Sequence, residues 1–172
     1  PEIMEDLQLN QEQMGYVASA FLLAYGLFQM PCGAISDRFG ARHLLTALVL
    51  GWSLLTALTA FIGHFSTSAV AIFALLLAAR FLFGACQAGA FPVWSRVMTD
   101  WLPVSERASG QGAVWMSSRV GGAIGPLLFL ALYTWLGTWT TPLRLLALLG
   151  ILWCMGFWIL FRDRPEQVVS LN

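Results

Sequence analysis

A short charged turn separates two long apolar segments of the chain and reads Gly33-Ala34-Ile35-Ser36-Asp37-Arg38-Phe39-Gly40-Ala41-Arg42. Charged side chains are costly in hydrocarbon, so this turn must lie in water at one face of a membrane. Its glycines permit a tight reversal of the backbone, and its Asp and Arg side chains can pair with each other or with helix ends. We therefore predict two membrane-spanning helices joined by an aqueous turn.

The composition is that of a membrane protein. Of the 172 residues, 58% are hydrophobic and 10% are charged, and the mean hydropathy is +0.72. A soluble domain carries about 25% charged residues. The formal net charge is zero, so we expect no nucleic-acid partner. Cys32, Cys86 and Cys154 lack the spacing of metal ligands, and we expect them to be buried small residues, with no metal and no cofactor.

Five apolar segments each reach the about 20 residues that a membrane-spanning helix needs. They lie at about residues 14–35, 44–63, 69–98, 108–136 and 143–161. We therefore predict an all-α membrane protein with five transmembrane helices.

The connecting segments differ in charge. The N-terminal segment is acidic and carries no basic residue, whereas arginines follow the first, third and fifth apolar segments. Basic residues favour the cytoplasmic side. We therefore place the N-terminus outside and the C-terminus in the cytoplasm, with Arg38, Arg107 and Arg164 on the cytoplasmic side, and Arg144 is the one exception.

The charged turn resembles the loop between helices two and three of the major facilitator superfamily, whose pattern is roughly G-x-L-[SA]-D-R-x-G-R-[RK]. The resemblance implies a secondary transporter of two six-helix halves that rock about a central site. Residues 1–172 would then be a partial N-terminal six-helix bundle. Its partners would be the lipid bilayer and two missing parts of the same transporter, the first helix and the C-terminal half.

The resemblance also implies a gating role for two charged segments. Glu106-Arg107 is similar to the Glu-Arg pair in the cytoplasmic loop before helix five of the family. An ordinary solvated helix start is the alternative interpretation of Glu106. The expected gating residues are Gly33, Asp37, Arg38, Gly40, Arg42, Glu106 and Arg107.

Arg80 lies midway along the third apolar segment. An arginine at that depth costs several kcal/mol unless it faces a wet cavity or a partner. Its guanidinium can bind a carboxylate through two parallel hydrogen bonds. We therefore predict that Arg80 binds an anionic group of a substrate, and a purely structural pairing with a neighbouring helix remains the alternative.

The residues around Arg80 are similar to helix four of the superfamily, where an Arg is followed by small residues and a Pro. Gly84, Gly89 and Pro92 fill these positions, and the small residues allow close helix packing. The segment looks closest to the anion:cation symporter branch, which carries organic anions such as sugar acids. That branch commonly has a Glu, thought to couple protons, where this chain has Gln87.

Gln87 cannot titrate, so proton exchange at this position is excluded. It lies seven residues after Arg80 and therefore on the same helix face, where it can orient a substrate. Coupling, where present, must then use the missing helices, another ion or the substrate's own charge. A uniport or an exchange mechanism is a further alternative.

Further candidate residues lie on other apolar segments. Arg119 is a second intramembrane cation, and it either assists substrate binding or makes a structural contact. Tyr25 and Gln29 are four residues apart and share a helix face that can line a cavity. In the last set, a G-x-x-x-G spacing precedes a proline, so we expect these residues to allow close helix packing and to form a hinge. Its members are Gly121, Gly125 and Pro126.

The function that we predict is secondary active transport of a small organic anion, such as a sugar acid or another carboxylate, across the inner membrane by alternating access. An enzyme would need a nucleophile with a base, or a cluster of His and carboxylates, at membrane depth. The sequence places no such set there, so we expect no catalytic residue. A non-transporting membrane sensor or assembly protein on the same fold is the alternative.

Overall fold

The computed structural model describes residues 2–65 and 68–163. These residues form seven helices and no strand, in accord with the predicted all-α membrane fold. The helices are α1 (Glu2–Asp6), α2 (Gln11–Phe39), α3 (Ala41–Phe65), α4 (Ala69–Ala88), α5 (Ala90–Trp101), α6 (Val104–Leu136) and α7 (Thr140–Leu160). Arg164, which was expected on the cytoplasmic side, lies outside the described residues.

Five helical segments of the described chain are long and apolar enough to cross a membrane. They are Gln11–Phe39, Ala41–Gly63, Ala69–Trp101, Val104–Leu136 and Thr140–Leu160. Each corresponds to one predicted segment and is longer than predicted at one or both ends, because the helices continue into the polar flanks. The short helix α1 was not predicted.

The third segment departs from the prediction of one continuous helix over residues 69–98. Two helices, α4 and α5, meet at Gly89, which is buried. Pro92 lies in the first turn of α5 and has no N–H to donate to the carbonyl four residues earlier. The missing hydrogen bond weakens the helix at this junction, although Pro31 and Pro126 lie within unbroken helices, and hydropathy alone cannot reveal the break.

Specific residues fix the helix ends. Asn10 and Gln13 form a capping box at the start of α2, in which each side chain accepts the other's backbone N–H at 2.8 and 2.9 Å. Gly40 ends α2 with φ 81° and ψ 159°, a conformation that is essentially restricted to glycine. Gly137 ends α6 in the left-handed conformation.

The bundle is built around α3 and α4. Helix α4 packs against α2 and α3, and α3 also packs against α7. Two apolar clusters fill the ends of the bundle. One surrounds Leu7, Ile62 and Trp139, and the other surrounds Leu45 and Val93 at the end that carries the Gly33–Arg42 turn. We call this second end the turn end.

Helix α6 lies at the periphery. None of its residues is buried, and its main contacts with other described helices are those with α5 and α7. Nothing lies within 4 Å of a Cβ built on Gly121 or Gly125. The packing and hinge roles of Gly121, Gly125 and Pro126 therefore stay predictions.

Cys32 and Cys154 are buried, as predicted, and Cys86 is half-buried. All three are free thiols.

Candidate functional site

Arg80 faces a cavity between α3, α4 and α7. The cavity has a volume of about 310 Å³, which is enough for a small ligand. Its lining residues are Trp52, Ser53, Thr56, Thr59, Arg80, Phe83, Gln87, Leu143, Leu146 and Gly150. The Arg80 guanidinium carbon lies 5.5 Å from the centroid of the Phe83 ring. We call this space the Arg80 cavity.

No carboxylate of the described residues pairs with Arg80 or lines this cavity. The structural ion pair that was the alternative interpretation of Arg80 is therefore not present in the described part of the chain. A partly buried cation without a counter-charge attracts an anion, because a low-dielectric wall screens its field poorly.

Three hydroxyl residues of α3 supply the polar wall opposite Arg80. Ser53, Thr56 and Thr59 are spaced three residues apart, so they follow one face of the helix. Each hydroxyl donates to the backbone carbonyl four residues earlier, at 2.7, 2.8 and 2.8 Å. Their oxygen lone pairs therefore remain as hydrogen-bond acceptors.

A larger cavity of about 840 Å³ lies beside the first. Aromatic side chains from three helices make up much of its wall, and Ser117 and Ser118 of α6 add hydroxyls. The aromatic lining residues are Tyr25, Trp52, Phe91, Trp94 and Trp101. Phe91 also stacks on Trp115, with ring centroids 4.5 Å apart.

Gln87 and Trp52 line both cavities and therefore join them. Of the predicted substrate residues, Gln87 and Arg80 meet in the smaller cavity, and Gln87 and Tyr25 meet in the larger one. The seven-residue spacing of Arg80 and Gln87 was the signal that placed them on one face.

Gln29 and Arg119 are not brought into either cavity. Arg119 is exposed on α6, one residue beyond Ser118, which does line the larger cavity. The substrate contacts predicted for Gln29 and Arg119 therefore have no support in the geometry of the described residues.

Sequence reasoning missed Trp52, Ser53 and Thr56. The hydroxyls of Ser53, Thr56 and Thr59 recur every third residue within an otherwise apolar helix, and that spacing is the signal that could have identified them.

At the turn end, Asp37 pairs with Arg96 of α5. The Arg96 Nη1 atom lies 2.7 Å from Asp37 Oδ1, and Arg96 Nε lies 2.7 Å from Asp100 Oδ2. Asp37 thus pairs with an arginine of α5 and not with Arg38 or Arg42 of its own turn, which was one of the pairings that the sequence allowed. The reason is that α5 packs beside the end of α2, which a sequence-local argument cannot foresee.

Arg42 contacts the end of α7 instead. Its guanidinium donates to the Trp158 carbonyl through Nε at 3.1 Å and also through Nη2. Its guanidinium carbon lies 4.3 Å from the Trp158 ring centroid. The backbone N–H of Arg42 donates to Asp163 Oδ1 at 2.7 Å. The charged turn therefore makes polar contacts with both α5 and the end of α7.

Arg107 closes the junction between α5 and α6. It donates to the Leu102 carbonyl at 3.1 Å and to the Thr99 carbonyl at 2.9 Å. These contacts satisfy carbonyl groups at the end of α5. Glu106 is exposed in the first turn of α6, where a negative charge suits the helix dipole.

Glycines in α4 and beside it lie where a larger side chain would meet a neighbouring helix. A Cβ at Gly84 would lie 2.3 Å from the backbone oxygen of Phe21. A Cβ at Gly89 would lie 2.4 Å from a methyl group of Leu48, and one at Gly33 would lie 3.6 Å from Pro92. Gly84 therefore sets the distance between α2 and α4.

Comparison with known proteins identifies related sequences. The family model of the Major Facilitator Superfamily matches residues 1–172. The chain is 34% identical over 167 residues to a probable sulfoacetate transporter from Cupriavidus necator, covering 97% of this chain and 37% of that protein. It is 35% identical over 173 residues to a probable galactarate/D-glucarate transporter from Bacillus subtilis, covering 99% of this chain and 36% of that protein.

A third relative is a probable L-galactonate transporter from Escherichia coli, which is 32% identical over 164 residues, covering 95% of this chain and 34% of that protein. The chain thus spans 34–37% of the length of these relatives.

Proposed function

Because the chain belongs to the major facilitator superfamily, we propose that it forms part of a secondary transporter for a small organic acid anion. It is an integral, multi-pass membrane protein of a transporter family rather than an enzyme. The transporter would work by alternating access, in which two half-bundles rock about a central site. This chain would supply most of the N-terminal half-bundle.

The environment of Arg80 carries the proposal. Arg80 lies within a helical segment that is long and apolar enough to cross a membrane, faces the Arg80 cavity and has no carboxylate partner among the described residues. A bound carboxylate would supply the missing counter-charge and accept two parallel hydrogen bonds from the planar guanidinium. Gln87 would orient the substrate from the wall that the two cavities share.

The relatives support the substrate class. Their names specify sulfoacetate, galactarate or D-glucarate, and L-galactonate. All of these are small organic acids that carry at least one negative charge at neutral pH. We infer that a sugar acid or a similar carboxylate is the substrate here.

Proton coupling through position 87 is not supported, because this chain has Gln87 where a proton symporter of this branch commonly has a carboxylate. Gln87 holds no exchangeable charge, and no Asp or Glu of the described chain lines either cavity. Coupling through this part of the protein would therefore use the substrate's own charge or another ion.

We place the turn end at the cytoplasmic side of the inner membrane. Arg38, Arg42, Arg96 and Arg107 lie at this end, as the positive-inside preference requires. At the opposite end, Arg144 stacks over the Phe61 ring, and its guanidinium carbon lies 4.4 Å from the ring centroid. The pairing of Asp37 with Arg96 would stabilise one gating state.

Uptake of labelled organic acids tests the proposal. The protein with its native flanking sequence would be reconstituted into proteoliposomes, and galactarate and galactonate would be supplied. Arg80→Ala should lower uptake by about 10-fold or more, because a charge-assisted hydrogen bond contributes about 1.5–3 kcal/mol. Arg80→Lys should retain part of the uptake, since the charge remains and the planar fork is lost.

Arg144→Ala is the matched control, because Arg144 lies outside both cavities. It should leave uptake within about twofold of wild type. Unchanged uptake in both Arg80 variants would refute the assignment of Arg80. Saturable binding without uptake would instead favour a non-transporting sensor.

A further inference from the structure

Thr56 differs from its two neighbouring hydroxyl residues in accessibility. Ser53 is 2% exposed and Thr59 is 6% exposed. A Cβ at Gly150 would lie 2.1 Å from Ser53 Oγ, so the Ser53 hydroxyl is covered by the backbone of α7. Thr56 is only partly buried and also lines the Arg80 cavity. Of the three hydroxyl residues that line this cavity, Thr56 is therefore the most exposed and the one that we assign to ligand contact.

The hydrogen of the Thr56 hydroxyl is already in use. It is donated to the Trp52 carbonyl at 2.8 Å, so the oxygen keeps lone pairs that can accept a hydrogen bond. Arg80 can only donate hydrogen bonds. A ligand in the Arg80 cavity therefore meets a cationic donor on α4 and a neutral acceptor on α3. The ligand that satisfies both presents an anionic acceptor and, close to it, a hydroxyl donor.

A carboxylate with a hydroxyl on the adjacent carbon has this pair of groups. Open-chain aldonates and aldarates carry it. A uronate closed into a pyranose ring has the ring oxygen at that carbon, and this oxygen can only accept. A sulfonate without a hydroxyl also lacks the donor. When a pyranose uronate or such a sulfonate displaces water from the cavity, the Thr56 oxygen is left without a hydrogen-bond donor.

We propose that Thr56 is a specificity residue that accepts a hydrogen bond from the hydroxyl adjacent to the substrate carboxylate, so that the transporter selects open-chain 2-hydroxy acids. The inference rests on the proposed function, because it takes Arg80 as the group that binds the carboxylate. It adds the feature of the substrate that is recognised and the side chain that recognises it.

A pair of competitors that differ by one hydroxyl tests this. Uptake of labelled galactarate into proteoliposomes would be inhibited with gluconate or with 2-deoxygluconate. In the wild-type protein, 2-deoxygluconate should be the weaker inhibitor by about 2- to 10-fold, the range of one hydrogen bond. In Thr56→Val, which keeps the shape and removes the oxygen, the two inhibitors should become equal. Thr56→Ser should restore the difference.

Thr46→Val is the matched control. The Thr46 hydroxyl makes the same kind of bond, to the Arg42 carbonyl at 2.8 Å, and Thr46 lines neither cavity. This variant should keep the difference between the two inhibitors.

Equal inhibition of the wild-type protein by both acids would overturn the inference, whatever the folding of the variants. A difference between the two inhibitors that persists in Thr56→Val would also overturn it. If that substitution weakened both inhibitors equally, Thr56 would merely support Arg80, and the inference would be overturned as well. A wild-type protein that takes up galactarate but shows no difference refutes the role of Thr56 alone. A wild-type protein that takes up no organic acid refutes the proposed function, and this inference with it.

Discussion

Asp163 accepts a hydrogen bond from the backbone N–H of Arg42 at 2.7 Å, across 121 positions of sequence. Arg42 lies in the first turn of α3, and Asp163 follows the end of α7. Asp163 thus caps α3 from a remote part of the chain. In return, the Arg42 guanidinium donates to the Trp158 carbonyl in the last turn of α7. The two helices therefore satisfy each other's unpaired terminal groups at the turn end.

Asp163→Ala should destabilise the bundle by about 1 kcal/mol, the usual cost of losing a helix cap. Asp163→Asn should cost less, because its amide oxygen can still accept from Arg42, although the charge that favours the helix N-terminus is lost. The measurement is the free energy of unfolding in mixed detergent micelles, followed by tryptophan fluorescence. Glu106→Gln, an exposed carboxylate at another helix start, is the control. If Asp163→Ala lowered the free energy of unfolding less than Asp163→Asn, the capping role would be contradicted.

Gly40→Ala should destabilise the protein more than Asp163→Ala does, by about 1–3 kcal/mol in the free energy of unfolding. Its φ of 81° and ψ of 159° suit only glycine, and an added Cβ would lie 3.0 Å from both Asp163 carboxylate oxygens. Gly26→Ala is the matched control, because Gly26 lies within α2 and nothing lies within 4 Å of its Cβ position. This control should leave stability unchanged or raise it by about 0.5–1 kcal/mol. Equal effects of the two substitutions on the unfolding midpoint would contradict the strain argument.

Gly84→Ala should prevent close contact between α2 and α4. The added Cβ would lie 2.3 Å from the Phe21 backbone oxygen, and a backbone atom in a packed helix cannot move aside as a side chain can. We expect a loss of about 1–3 kcal/mol or more, the usual cost of overpacking. Thermal unfolding in detergent measures it, with Gly122→Ala as the control because the described chain leaves its Cβ position open. A Gly84→Ala protein as stable as wild type would show that the two helices do not pack as closely as this.

The five membrane-spanning segments could be predicted because hydrophobic length is a local property of the sequence. The break at Gly89 could not, since apolar residues continue on both sides of it and only Pro92 hints at the lost hydrogen bond. The partner of Asp37 was also unpredictable, because Arg96 is 59 residues away and its position depends on how α5 packs. A charged turn shows which residues need partners but not which partners the fold supplies.

The candidate site divides in the same way. Arg80 was singled out as a charge within an apolar segment and Gln87 through the resemblance to the symporter branch, and helical spacing then placed both on one face. The acceptor role of Thr56 depends on a neighbouring helix and on the direction of one hydroxyl hydrogen bond. The role of Arg119, either substrate assistance or a structural contact, stays a prediction, because its helix lies at the periphery of the described bundle.

The ion pair of Asp37 and Arg96 should couple α2 to α5. The Asp37 side chain is 70% exposed and that of Arg96 is 30% exposed, so solvent screens the pair and the expected coupling energy is only about 0.2–1 kcal/mol. A double-mutant cycle with Asp37→Asn and Arg96→Gln, measured by unfolding in detergent at low and high salt, gives this value. It should shrink at high salt.

Arg38→Gln serves as the control for that cycle, because Arg38 lies in the same turn and makes no ion pair within the described residues. Combined with Asp37→Asn, it should show additive effects. A coupling of Asp37 with Arg38 as large as that with Arg96 would contradict the pairing.

Gln87→Glu should make uptake depend on pH. A carboxylate at this position would lie on the wall shared by the two cavities and, once ionised, would repel an anionic substrate. Uptake by this variant should therefore approach the wild-type rate at low pH, where the introduced carboxyl group is protonated, and should fall as the pH rises through the pKa of that group. Wild-type uptake should change little over the same range, because Gln87 does not titrate.

The measurement is uptake of labelled galactarate between pH 5 and 8, roughly, with the same pH on both sides of the membrane so that no proton gradient contributes. The substrate carboxylates stay ionised over this range, since their pKa values lie near 4 or below, at about the values of ordinary carboxyl groups. Gln29→Glu is the control, because Gln29 lines neither cavity. A pH profile of Gln87→Glu that parallels wild type would show that position 87 does not face the substrate, whereas a fall in Gln29→Glu of equal size would show that the repulsion is not specific to the shared wall.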